Sequence, residues 1–134
     1  MDYRYKKTIA DFDLELLNGE IESFCGENGE IPPGTLFTAQ LVIEELVTNI
    51  VKYGSRGAKE KSIEIRLRDE NGKIILTISD DTDAFNPLEA EEPDVTLPAE
   101  EREAGGLGIF LVRKKVRSIT YEYKNGLNTV EVIC

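Results

Sequence analysis

Ala104-Gly105-Gly106-Leu107-Gly108-Ile109-Phe110-Leu111-Val112 is where an acidic, proline-bearing loop turns into an apolar helix. Its glycines, Gly105, Gly106 and Gly108, reach backbone angles closed to other residues and let a ligand approach the main chain. The helix that begins there offers unpaired N–H groups and the positive end of its dipole. Together these make an anion or phosphate site. Glycines that only permit a tight turn are the other reading. A second pattern bears on the choice: Glu45 and Asn49 stand one turn apart on an upstream helix.

Working outward, the hydrophobic pattern gives the remaining elements. Residues 62–68 alternate through Ile63, Ile65 and Leu67, and residues 73–79 through Ile74, Leu76 and Ile78. Asn71-Gly72 lies between them and Asn125-Gly126 between segments 117–123 and 128–133, both strong hairpin signals. Residues 4–10 read as a first strand. Helical spacing predicts helices over 11–25 (Phe12, Leu16, Leu17, Ile21, Phe24), 35–52 (Ala39, Ile43, Leu46, Val47, Ile50) and 106–116. Gly26, Gly29 and Pro32-Pro33-Gly34 form the first inter-helix connection. The long loop over 81–104 carries Pro87, Pro93 and Pro98; loops of that length in a compact domain are usually functional or disordered.

The order β-α-α-β-β-loop-α-β-β predicts an α+β fold. It is a two-layer α/β sandwich, with an antiparallel or mixed sheet and its helices on one face. The chain's 134 residues fit one domain over 1–134.

Composition narrows the chemistry. No apolar run approaches the length of a membrane span, and the first residues lack the apolar stretch of a secretory signal. Two cysteines without metal-ligand spacing point to a reducing, cytoplasmic setting. The absence of histidine removes histidine triads, histidine metal sites and a phospho-accepting histidine. Of the net charge of −10, −9 falls within residues 80–103, where ten acidic residues accompany Arg102 alone. That balance disfavours nucleic acid as a partner. The segment is either a solvated loop or one that faces a basic partner or a cation.

Glu45 and Asn49 share a helical face roughly opposite the Ile43–Leu46–Val47–Ile50 stripe. They are either an exposed polar face, or a carboxylate that positions or deprotonates a nucleophile beside an amide oxygen that ligates Mg²⁺. Asp80 and Asp81 end an apolar strand. A carboxylate there accepts a hydrogen bond from a ligand amino group or simply makes a strand-ending turn. Thr129 places a hydroxyl near the same spot, or reflects β propensity alone. There is no Gly-Lys-[Ser/Thr] phosphate loop and no dinucleotide fingerprint.

Glu44-Glu45-Leu46-Val47-Thr48-Asn49, Asp80-Asp81-Thr82-Asp83-Ala84-Phe85-Asn86-Pro87 and Gly105-Gly106-Leu107-Gly108-Ile109 stand in the order and spacing of a known family. The chain resembles the bacterial anti-sigma-factor serine protein kinases, of the histidine-kinase-like ATPase superfamily with the Bergerat fold. The resemblance runs from about residue 5 to residue 133. It implies that Glu45 is the general base, that Asn49 holds Mg²⁺ and that Asp80 bonds the adenine amino group. It implies that Gly106 and Gly108, with Gly105 and Leu107 between and beside them, bind the phosphates of ATP, and that Thr129 supports the adenine. The implied activity is phosphorylation of a serine on an anti-anti-sigma (STAS-type) protein, with a sigma factor or similar regulator held otherwise. A homodimer fits the same resemblance. A non-catalytic nucleotide-binding module that sequesters a protein partner is the alternative. Two positions depart from the family pattern where it usually carries glycine, namely Thr82 and Ala84, and Tyr53 stands where it often carries histidine. A left-handed backbone at residue 82 would cost threonine about 1–2 kcal/mol.

Overall fold

The alternating segments form one sheet in the computed structural model, which describes residues 2–28, 31–70, 73–89 and 106–134. Strands β1 (Asp2–Thr8), β2 (Ser62–Glu70), β3 (Lys73–Asp80), β4 (Ser118–Lys124) and β5 (Leu127–Ile133) lie in the order β1-β2-β3-β5-β4. All four pairings are antiparallel, so the mostly antiparallel sheet read from the sequence has no parallel pair among the described strands. Asn125 and Gly126 join β4 to β5 with φ of 55° and 77°. Positive angles at both central residues belong to the hairpin turn whose twist matches the strands. The connection between β2 and β3 lies outside the described residues, but Glu70 pairs with Lys73 at its mouth.

One face of this sheet carries the core. Ile63, Ile65 and Leu67 on β2 lie beside Ile78 and Leu76 on β3, and Val130 and Val132 on β5 continue the layer. Helices α1 (Leu14–Asn28), α2 (Pro33–Asn49) and α3 (Gly106–Lys115) close over it with Leu17, Ile21, Val42, Ile43, Leu46, Ile109 and Val112. Each such side chain contributes roughly 1.5–3 kcal/mol by leaving water. The opposite face is polar: Arg66 reaches Asp2 at 2.8 Å, and Arg68 lies 3.8 Å from Glu131.

Element ends differ from the sequence reading for local reasons. The first strand begins at Asp2, because Asp2 to Thr8 pair in register with Arg68 to Ser62. A short 3-10 turn, Ile9–Asp11, follows it. The first helix then starts at Leu14 instead of residue 11, since Asp13 caps it by accepting the Leu16 amide at 2.9 Å. The second helix starts at Pro33, where a missing N–H costs nothing. Its α-helical part ends at Asn49, and the chain continues as a π-helical turn, Ile50–Gly54, closed by the Ser55 amide on the Ile50 carbonyl at 2.9 Å. Wide turns of this kind are frequent at functional sites.

Candidate functional site

The crossover from β3 through α3 and β4 to β5 leaves Asp80, at the end of β3, directly opposite Asn128 near the start of β5. Strand alternation turns both side chains to the helix-covered face. There they meet the end of α2 and the π turn around a cavity. Leu46, Ile50, Ile78, Val130, Phe85 and Pro87 form its apolar walls, and Asn49, Asp80, Thr82, Asn128 and Tyr121 add polar groups.

Asn49, Asp80, Thr82 and Asn128 are buried and Tyr121 is half-buried, and burial demands partners. Asp80, Thr82 and Asn128 are 5%, 3% and 3% exposed, which rules out a solvated strand end. Asp80 Oδ1 accepts the Thr82 amide at 3.1 Å, the Thr82 hydroxyl, and Asn128 Nδ2 at 2.9 Å. Asn128 Nδ2 also donates to the carbonyls of Thr82 and Asp83 at 3.3 and 3.0 Å. Asn128 Oδ1 accepts the Phe85 amide at 3.0 Å and the Tyr121 hydroxyl. Burial raises the Tyr121 phenol above the ordinary tyrosine range. Asp80 Oδ2, by contrast, has no hydrogen-bond partner among the described residues, and its residue lines the cavity. Apolar walls beside one acceptor unengaged among the described residues supply the chemistry that receives an amino group on an apolar-faced ring.

Asn49 is 7% exposed, so the helical wheel that sets it opposite the apolar stripe is corrected. It lies on the edge of that stripe and lines the cavity. Its amide has no hydrogen-bond partner among the described residues, which leaves its oxygen for a hard cation. Among the described residues no group of three or more His, Cys, Asp or Glu could hold a metal. A lone amide oxygen could serve a Mg²⁺ held mainly by a ligand's phosphates and water.

Glu45 is half-buried, one turn before Asn49. A β-carbon placed on Gly108 would lie 1.8 Å from Glu45 Oε2 and 2.3 Å from its Cδ. The carboxylate thus fills the space that any side chain at 108 would need. At the other end of the helix pair, Lys115 Nζ lies 6.0 Å from the Phe37 ring. So α2 and α3 run antiparallel, and the start of α3 meets the C-terminal half of α2. Gly106 and Leu107 form the first turn of α3. Gly105 and the acidic residues from 90 to 103 lie outside the described residues.

Two further expectations drawn from the sequence are corrected. Thr129 is not at the cavity: it pairs with Ser79 on the polar sheet face, its hydroxyl 3.4 Å from the Ser79 hydroxyl. Its neighbour Asn128 occupies the position expected of it. The signal lies in the chain itself, since Asn128 shares strand parity with Val130 and Val132 and so interrupts an apolar row. Nor is Thr82 left-handed: Arg56 and Asn125 are the non-glycine residues with positive φ among those described, so the anticipated strain does not arise.

The chain is 27% identical over 92 residues to the serine/threonine-protein kinase BtrW of Bordetella bronchiseptica, covering 69% of this chain and 65% of that protein. It is 27% identical over 96 residues to the serine-protein kinase RsbW of Listeria monocytogenes, covering 68% of this chain and 60% of that one. RsbW of Listeria innocua is similar at 26% identity, again over 60% of its length. The chain therefore spans less than two thirds of the length of these relatives. Residues 12–134, from the first helix to the last strand and with every cavity-lining side chain among them, match the histidine kinase-like ATPase domain, and the chain belongs to that family.

Proposed function

We propose that the chain binds Mg·ATP in this cavity and transfers the γ-phosphoryl group to a serine of an anti-anti-sigma (STAS-type) protein. In the same switch it would hold a sigma factor or similar regulator when that protein is absent. One observation carries the reading. Asp80 and Asn49, each with an oxygen unengaged among the described residues, line one cavity, and Glu45, one turn before Asn49 on α2, lies against Gly108 in the first turn of α3. The similarity to BtrW and RsbW, both named as protein kinases, supports it.

Each residue then has a task. Asp80 Oδ2 accepts the adenine amino group, and the apolar walls cover the ring. Asn49 holds Mg²⁺, which when bound offsets the charge of the phosphates. The first-turn amides of α3, at Gly106, Leu107 and Gly108, face the phosphates. Glu45 orients the serine hydroxyl and accepts its proton. The two cysteines are free, as suits a reducing cytoplasm.

The test is transfer of radiolabelled γ-phosphate to a STAS-type protein encoded with this chain. Glu45→Ala is expected to keep ATP affinity within a few-fold and to abolish transfer, because a general base acts mainly in the transition state. Transfer by the variant at the parent rate would remove Glu45 from the mechanism. ATP binding without any transfer by the parent would leave a module that sequesters its partner.

A further inference from the structure

We infer that Thr82 is a positioning residue for Asp80, and that Gly54 is glycine to make room for it. Together they make the cavity selective for a purine with an amino group over one with a carbonyl oxygen at the same place. This rests on the nucleotide reading of the cavity.

The two oxygens of Asp80 are occupied unequally. Thr82 donates to Oδ1 twice, through its amide at 3.1 Å and through its hydroxyl. Asn128 adds a third donor at 2.9 Å. With all three donors on one oxygen, the carboxyl group is fixed in rotation, and Oδ2, without a partner among the described residues, is left as an acceptor. A ligand amino group donates to it. A ligand carbonyl sets oxygen against oxygen and leaves both unpaired, which a buried site penalises.

Glycine at 82 would supply the amide donor but not the hydroxyl. The threonine thus adds a contact to the site. It needs space: a β-carbon on Gly54 would lie 2.7 Å from Thr82 Oγ1, closer than van der Waals contact allows. Gly54 is the last residue of the π turn, so the wide turn that ends α2 delivers the one residue type that leaves the hydroxyl in place.

The experiment compares binding of ATP and inosine triphosphate, which carries a carbonyl oxygen where ATP carries the amino group, by calorimetry on the full chain. Parent and Thr82→Ser keep the hydroxyl and should share one preference for ATP. Thr82→Val keeps the shape and should lose about tenfold of that preference, equivalent to about 1.4 kcal/mol. Gly54→Ala should lose a similar amount, yet change nothing when introduced into Thr82→Gly. Asp80→Asn supplies a second measurement. The three donors hold the new amide oxygen, its NH2 group faces the cavity, and the preference should invert towards inosine triphosphate. Equal preference in parent and Thr82→Val, or no inversion with Asp80→Asn, overturns the positioning role while leaving the nucleotide site intact. A parent that binds neither nucleotide overturns the site itself and this inference with it.

Discussion

Gly108→Ala separates the demands of the fold from those of the chemistry. The added methyl carbon would fall 1.8 Å from Glu45 Oε2, 2.3 Å from Cδ and 2.9 Å from Oε1, so it cannot coexist with the present carboxylate position. The obstacle is the end of a flexible side chain. Glu45 can yield by changing rotamer, at about 0.5–1.5 kcal/mol if it is held off a minimum. Alanine is favoured over glycine in a helix interior by roughly 0.5–1 kcal/mol, and by no more than that in the first turn, where Gly108 sits. The two nearly cancel, and the thermal stability of the variant should stay within about 1 kcal/mol of the parent. Phosphoryl transfer should not. Under the proposed mechanism Glu45 is the base, and displacing such a group by about 1 Å costs on the order of a hundredfold in rate. Melting curves read the first quantity and single-turnover transfer the second. In a Glu45→Ala background the same glycine change should be stabilising by the helix-propensity amount, because the obstacle is gone. A Gly108→Ala variant with parental transfer, or one destabilised by several kcal/mol in both backgrounds, would refute the contact as the reason for glycine.

The other expectations follow from burial. Leu76 is fully buried in the central strand, and Leu76→Ala should cost about 2–5 kcal/mol in denaturant melts. Tyr121 has a phenol pKa raised by burial above its ordinary 10.0. The folded state therefore keeps a proton that the unfolded chain releases, so this group's contribution falls as pH rises past about 10. Tyr121→Phe should flatten the alkaline loss of stability; an unchanged slope would remove the phenol from that effect.

How far a sequence of this kind can be read depends on whether position or contact decides. The hairpin at Asn125-Gly126 is legible because its turn needs two positive φ angles that Asn and Gly supply. The strands are legible because alternation records which face is covered. The start of α1 lies three residues beyond the periodicity's estimate, since a cap is a hydrogen bond, and Asp11 and Asp13 look alike until Leu16 chooses one. A helical wheel puts Asn49 on the wrong side of its helix because it assumes one packed face. The cavity, with β3, β5 and the π turn around it, covers a second. The family resemblance assigns Thr129 to the cavity, although strand parity favours Asn128. The compatibility of Thr82 is illegible, because the room it uses is supplied by Gly54, distant in sequence.

The central claim is that the cavity takes an adenine nucleotide with Mg²⁺, and a thermal shift tests it most directly. At about 100 times its dissociation constant, Mg·ATP should stabilise the parent by about 2.7 kcal/mol, a rise of roughly 10 °C for a domain of this size. Asn49→Ala should forfeit the part of that shift that depends on Mg²⁺. A parental melting curve unmoved by millimolar Mg·ATP and Mg·ADP would contradict the claim.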